Sequence, residues 1–369
     1  MYLFFSFASS ALLLILSALP NSSGSNPLLY SKRQAEQSCN GYSDLCSRPY
    51  NKVSFLTSHN AFAYTTGNNA SNQNEPITKQ LDRGVRAFML DLHDPDKITN
   101  LRSSNKLDKR QTTFKKIELC HATCLLLDSA PFVTELQNFK KYIDAQPNNV
   151  ITLFLENYDR FSSAEMYGSF AQAGLADMLF NPITYTLNGV ITWPTLQTII
   201  NSKKNIIVLS DSITNQVSYP QIMLDRLHVA QTSFSVASGS AFDCNLSQAG
   251  LELTAVNHFV YINQGILNSG YRVPSLDASK SVNSIYNINQ HVNTCLTKIP
   301  PSFPNFFALD FYQYGDGFKA VSSFNNIAFK DTSTSVFSEP KKNSASLLAP
   351  LYEYNMLLLY FSAFLLFIK

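Results

Sequence analysis

Short apolar runs that end on a polar or titratable side chain recur along this chain, and their recurrence constrains the fold more than any single residue does. Val53-Ser54-Phe55-Leu56 leads to Ser58-His59-Asn60, Val85 to Leu90 leads to Asp91, and Ile117 to Cys120 leads to His121. Further on, Val150 to Leu155 leads to Glu156, Ile206 to Ser210 leads to Asp211, and Phe306 to Leu309 leads to Asp310. Continuous apolar runs bounded by polar breakers read as strands buried on both faces, the mark of a parallel sheet covered by helices. A TIM-barrel-like α/β fold, a ring of parallel strands each followed by a helix, is the economical answer. The carboxyl ends of its strands all open on one face, so residues distant in sequence meet there.

With 369 residues, 45% of them hydrophobic and 15% charged, the chain can bury one core of barrel size. No Gly-, Pro- or Ser-rich linker divides residues 34–340, so a single domain is expected there. Helix-compatible stretches separate the runs. In Pro131 to Asp144, Phe132, Leu136, Phe139 and Ile143 recur on one helical stripe that would face the sheet. Val229 to Val236 and Phe259 to Ile262 are read as a sixth and a seventh strand. Asp94 to Lys116 is read as a surface loop near the site, and Cys244 to Thr254 and Ser275 to Thr294 receive no firm assignment. The formal charge of +2 and the absence of a basic block argue against a nucleic-acid partner.

Both ends carry processing signals. Leu3 to Leu19 is apolar and ends in small residues, so residues 1–24 are read as a secretory signal peptide, with a further dibasic cleavage expected after Lys32-Arg33. Residues 341–369 combine the small cluster Asn343-Ser344-Ala345-Ser346, a spacer and the apolar tail Met356 to Ile368. That is the grammar of a glycosylphosphatidylinositol (GPI) attachment signal at Asn343 or Ser344, on a tail short for a membrane span. The expected location is therefore the cell surface, outside the plasma membrane or in the wall. Six cysteines suit an oxidising compartment. Spacing suggests the pairs Cys39 with Cys46, Cys120 with Cys124 and Cys244 with Cys295, out of about fifteen connectivities that sequence leaves open. Zinc is the competing use of these cysteines, but no CxxC pair is present. Asn69-Ala70-Ser71, Asn245-Leu246-Ser247 and, if it is not removed by processing, Asn21-Ser22-Ser23 are glycosylation acceptors.

Two histidines at strand ends are what phosphodiester cleavage requires: one takes a proton from the attacking oxygen and the other gives one to the leaving oxygen. His59 and His121 are the candidates. Either alone would more often be a packed core residue, but the two occupy matching places. Asn60, Asp91 and Glu156 offer oxygen ligands from successive strands, a set suited to calcium or magnesium, unless the two acids pair with Arg86 instead. Asp310 could fix the His59 tautomer by accepting its second N–H. His93 and Asp94 are read as rim residues and Trp193 as a packing residue.

The motifs Ser58-His59-Asn60, Gly84-Val85-Arg86 leading to Asp91, Leu119-Cys120-His121 and Leu155-Glu156-Asn157 resemble the successive signatures of the phosphatidylinositol-specific phospholipase C X-domain superfamily. The resemblance runs from about Cys39 to Asp211 and continues more weakly at Ala308 to Tyr312. Cys39-Asn40-Gly41, Arg48-Pro49-Tyr50 and Cys120 to Cys124 are most similar to the secreted, disulfide-bearing fungal members. It implies a distorted TIM barrel with His59 as general base and His121 as general acid. In the phosphoinositide enzymes of that family, an inositol hydroxyl attacks phosphorus to give a cyclic phosphate and diacylglycerol. Asn60, Asp91 and Glu156 match the calcium positions of eukaryotic members, and Asp310 matches the aspartate that orients the base in bacterial ones.

This chain departs from both patterns. Met89 stands where eukaryotic members have a second acidic ligand, and a thioether is a poor ligand for calcium. Bacterial members place an arginine at the Asp91 position and a lysine at that of Glu156. The expected function is thus a cell-surface phosphoric diester hydrolase or lyase of the phospholipase C type. Its substrate would be a phospholipid or glycerophosphodiester, its cation site weak, and its link to the membrane the lipid anchor. The competing readings are an inactive barrel that serves as a wall or surface binding protein, and a metal-dependent diesterase attacking choline or glycerol headgroups, which shares the barrel but usually wants the acidic residue that is absent here.

Overall fold

The computed structural model describes residues 37–65, 67–97, 116–215, 217–237, 242–263, 272–298 and 303–337. Both processing signals, the Asn21 acceptor and residues 98–115 of the expected surface loop lie outside them. Eight parallel strands form the central sheet: β1 Phe55–Ser58, β2 Ala87–His93, β3 Ile151–Asn157, β4 Ile206–Ser210, β5 Ile222–Leu224, β6 Val229–Gln231, β7 Leu253–Asn257 and β8 Phe306–Leu309. Their spatial order is β6-β7-β8-β1-β2-β3-β4-β5, and every pairing along it is parallel. The curl stops short of closure, since β5 and β6 share no ladder. Only residues 225–228, a single 3₁₀ turn, join them, whereas parallel neighbours need a crossover of about a dozen residues. A distorted, open TIM-like barrel is the result.

Side chains along each strand alternate between two apolar layers, because successive Cβ atoms point to opposite faces. Phe55, Ala87, Met89, Phe154, Ile207, Leu209, Met223, Val229, Leu253, Ala255, Phe306 and Ala308 fill the inner layer. Leu56, Phe88, Leu90, Leu153, Leu155, Val208, Val256, Phe307 and Leu309 face outward against the helices. Phe132–Ala145 is one of those helices, and its Phe132, Leu136, Phe139 and Ile143 are buried on the sheet as their spacing predicts. Trp193 is a packing residue, 4.8 Å from the Tyr50 ring and 5.5 Å from that of Phe180.

Several expectations are corrected. Glu118–Cys120 is no barrel strand: it pairs antiparallel with the carboxyl end of β2, at Leu92 and His93, and with Asp128–Pro131, forming a ribbon beyond the parallel ladder. The run from Phe259 yields Tyr261–Asn263, in an antiparallel ribbon with Arg272–Pro274, and the true barrel strand is β7, which begins at the end of the unassigned stretch and stops before Phe259. Strand β5 was not anticipated, and the strand expected over Val229 to Val236 ends at Gln231. Ser275 to Thr294 forms helices Leu276–Val282 and Ile285–Lys298. The three disulfides are Cys39–Cys46, Cys120–Cys124 and Cys244–Cys295, as spacing suggested.

Arg86 pairs with neither Asp91 nor Glu156. It lies buried at the opposite end of β2, donating from Nε to Asn149 Oδ1 (2.8 Å), from Nη1 to the carbonyls of Leu81 (2.9 Å) and Val85 (2.7 Å), and from Nη2 to Tyr142 Oη (2.5 Å). Burial lowers its pKa, which the Tyr142 contact opposes. Removing such a group orphans several buried acceptors. Arg86→Met is therefore expected to cost about 2–4 kcal/mol, read as a lower urea midpoint with an unchanged slope.

Candidate active site

One step beyond the last apolar inner residue of each strand, the same alternation points a polar side chain into the barrel mouth. Past Phe55 and Thr57 comes His59, past Met89 comes Asp91, past Phe154 comes Glu156, and past Leu209 comes Asp211. Past Met223 comes Asp225, past Val229 comes Gln231, past Ala255 comes Asn257, and past Ala308 comes Asp310. A cavity of about 420 Å³ opens among these ends, lined by both His59 and His121.

His59 is held from several sides. Its Nδ1 lies 2.8 Å from Asp310 Oδ1, and its ring stacks on Phe259 with centroids 3.7 Å apart and planes within 4°. A carboxylate only accepts, so the pairing assigns the ring proton to Nδ1 and leaves Nε2 basic. Asn72 Nδ2 donates to the same Asp310 oxygen at 2.9 Å, and Gln73 Nε2 spans the carbonyls of His59 (2.7 Å) and Leu309 (3.0 Å). Sequence reasoning missed Asn72 and Gln73, which lie in a loop with no apolar run before them to mark it.

His121 reaches the cavity from outside the barrel. It follows the ribbon strand Glu118–Cys120, and the Cys120–Cys124 disulfide closes the turn around it. The His121 N–H donates to Leu127 O at 3.0 Å, and Nδ1 meets the Ala70 carbonyl, which fixes the tautomer and leaves Nε2 free. Burial pushes the imidazolium pKa below its ordinary value, the Ala70 carbonyl opposes this, and the nearby His59 pushes it down further.

Besides Asp310, four carboxylates share the mouth. Asp91 and Glu156 are register partners on β2 and β3. Burial first, then Glu156 and Asp211, hold the Asp91 carboxyl well above the usual range. Glu156 and Asp211 are also raised by burial, and Asp225 is raised to about 6 by burial, with Asp211 and Glu156 adding to the effect. Tyr158 Oη donates to Glu156 Oε2 at 3.2 Å, and Gln231 Nε2 donates to Asp225 Oδ2 at 3.1 Å. Asn60, at φ 41° in the left-handed region, has its Oδ1 buried without a hydrogen-bond partner, as does Asp91 Oδ1. Orphaned acceptors beside raised carboxyls suit a cation, so Asn60, Asp91 and Glu156 fit as ligands. Met89 belongs to the apolar layer beneath Asp91. Asp225, Gln231, Asn257 and Arg272 line the cavity as well and were not foreseen. The first three end strands too short or too ambiguous to read. His93 is buried, stacked on Tyr158 at 4.7 Å with Nδ1 3.6 Å from Asp159 Oδ2, and Asp94 N–H donates to Asp159 Oδ2 at 2.6 Å.

A family model described as PI-PLC X 1 matches residues 45–325. The PI-PLC X domain-containing protein 1 of Arthroderma benhamiae is 29% identical over 297 residues, taking in 78% of this chain and 90% of that protein. A second Arthroderma benhamiae protein, described as an uncharacterized secreted protein, is 24% identical over 306 residues, 79% of this chain and 64% of its own length. Among solved structures, a point mutant of the phosphatidylinositol-specific phospholipase C from Staphylococcus aureus superposes with a TM-score of 0.50 at 12% identity. That alignment covers 80% of this chain and 98% of the other, and the likeness is one of fold.

The raised carboxyls tie stability to pH. A group whose folded pKa exceeds its unfolded value leaves the native state binding more protons in between, so stability falls as pH rises through that window. For Asp225 the window runs from 3.8 to about 6. Urea midpoints should decline across it in the native protein, and Asp225→Asn should flatten the decline.

Proposed function

This chain belongs to the phosphatidylinositol-specific phospholipase C X-domain family, and from that premise we propose that it cleaves a phosphodiester by paired imidazole acid–base catalysis. One observation carries the reading: His59 and His121 line a single cavity, each with Nδ1 engaged and Nε2 free. His59 Nε2 takes the proton of an oxygen nucleophile as that oxygen bonds to phosphorus. His121 Nε2 gives its proton to the departing oxygen as the second P–O bond breaks; where the product is a cyclic phosphate the histidines exchange roles as water opens it, and where water is the first nucleophile the protons are restored from solvent. Asp310 steadies the imidazolium that forms on His59 and keeps its tautomer. Stacking on Phe259 prevents the ring from turning away.

Asn60, Asp91 and Glu156 would hold a calcium or magnesium ion, which supplies charge neutralisation for the phosphoryl oxygens when bound. Without the acid that Met89 replaces, the site is short of one anionic ligand and correspondingly weak. A phospholipid or glycerophosphodiester is the substrate class that agrees with the family. Among the described residues no helix is long and apolar enough to cross a membrane. The secretory signal, the GPI tail and the relative described as secreted support a cell-surface enzyme tethered by lipid. Asn69 and Asn245, the glycosylation acceptors, are exposed. The competing reading, a surface-binding barrel without turnover, rests on Met89, and the same assay decides between them.

His59→Ala and His121→Ala should each lower kcat by about 10²–10⁴ on a diester that the parent cleaves. A parent that cleaves none favours the binding barrel. Since the His121 pKa is lowered from 6.5 and the acid must be protonated, the alkaline limb of kcat/KM should begin below that value. Replacing both Cys120 and Cys124 with Ser should lower kcat more than it lowers thermal stability, because the closed loop is only 4 residues in separation and mainly aims His121.

A further inference from the structure

Two of the four carboxylates in the mouth have no part in the chemistry just described. Asp211 and Asp225 end the paired strands β4 and β5, face inward by parity and line the same cavity as the histidines. Asp211 accepts from the Asn157 N–H at 2.9 Å, and Asp225 accepts from Gln231, while Arg226, whose charge opposes the upward shift of Asp225, is the smallest of the influences on it. The lining arginine, Arg272, is held on Ser235.

The neighbouring oxygens and the rings of the cavity bear on what this wall can take. Asn60 Oδ1 and Asp91 Oδ1 are acceptors on residues at least nine-tenths buried, both unpartnered, and Asp91 feels the charge of Asp211. Tyr158 and Phe234 also line the cavity while remaining 54% and 68% exposed. One divalent ion on Asn60, Asp91 and Glu156 would satisfy the orphaned oxygens and still leave Asp211 and Asp225 uncompensated. Aromatic faces beside carboxylates recognise alkylammonium groups through cation–π and Coulomb attraction. The same acids repel a headgroup that carries additional phosphates.

We propose that Asp211 and Asp225, flanked by Tyr158 and Phe234, form a headgroup subsite for an amine or quaternary ammonium group, so that the preferred substrates are choline- or ethanolamine-type phosphodiesters. The inference rests on the phosphodiesterase reading for its substrate, but its binding half can be tested alone. Calorimetry of the secreted protein carrying His59→Ala should show choline binding that weakens about tenfold or more when Asp211→Asn and Asp225→Asn are added, with circular dichroism confirming the fold. In the parent, the ratio of kcat/KM for glycerophosphocholine to that for glycerophosphoglycerol should exceed unity and fall about tenfold in the doubly amidated variant, mainly through KM. Failure of choline to bind, binding indifferent to both substitutions, or calcium alone binding in an Asp211- and Asp225-dependent way overturns the proposal. If choline binds as expected but no diester is cleaved, the subsite stands and the catalytic reading falls.

Discussion

The alternation of side chains across parallel strands buried on both faces is the constraint on which this structure depends. Each strand must offer one apolar set to the barrel interior and another to the helices, and both layers are filled along β2 and β8 up to their polar ends, and along β3 with the one inward polar residue Thr152 bonded to the Tyr50 hydroxyl. Burying one such side chain is worth about 1.5–3 kcal/mol, so a slip of one residue, which would exchange the layers, is heavily disfavoured. With the register fixed, the first polar residue of inward parity at the carboxyl end has one place to go. His59, Asp91, Glu156, Asp211 and Asp310 reach the mouth for the same reason that Phe306 reaches the core.

That reason explains how much of the site was legible. Where a run has four or more apolar residues and a clear polar stop, as in β2, β3, β4 and β8, or three as before β1's Ser58-His59-Asn60, both the strand and the residue after it could be read from the sequence. Ile222–Leu224 has three residues, too few to stand out, and the strand expected from Val229 ends at Gln231 rather than Val236, so Asp225 and Gln231 stayed hidden although they follow the same rule. His121 was found by a different route: an apolar run precedes it, yet that run belongs to an antiparallel ribbon outside the barrel. Burial pattern cannot separate the two, since Glu118–Cys120 is as buried as any barrel strand. Asn72 and Gln73 support His59 through side-chain amides to a carboxylate and two carbonyls. Contacts of that kind depend on how a loop folds back and leave no periodic trace.

The electrostatics of the mouth are one-sided. Desolvation is the first cause of every upward shift among Asp91, Glu156, Asp211 and Asp225, and mutual repulsion adds to three of them. A protein does not hold buried acids at such cost for stability alone, because apolar residues of similar size would pack there more favourably. His59 answers part of this charge at Glu156, and that histidine is itself tied to Asp310. The remainder is attraction offered to whatever positive group enters.

Where β5 and β6 part company, the short turn 225–228 joins them and an amide–carboxylate contact, Gln231 Nε2 to Asp225 Oδ2 at 3.1 Å, stands where a backbone ladder would otherwise be. Elsewhere the circumference is riveted by backbone ladders that no side-chain change can undo. At this latch a single substitution could let the rim spread and admit a bulkier molecule while the histidines stay where they are. Descendants of this fold could thus alter the size of what they accept without rebuilding the machinery that acts on it.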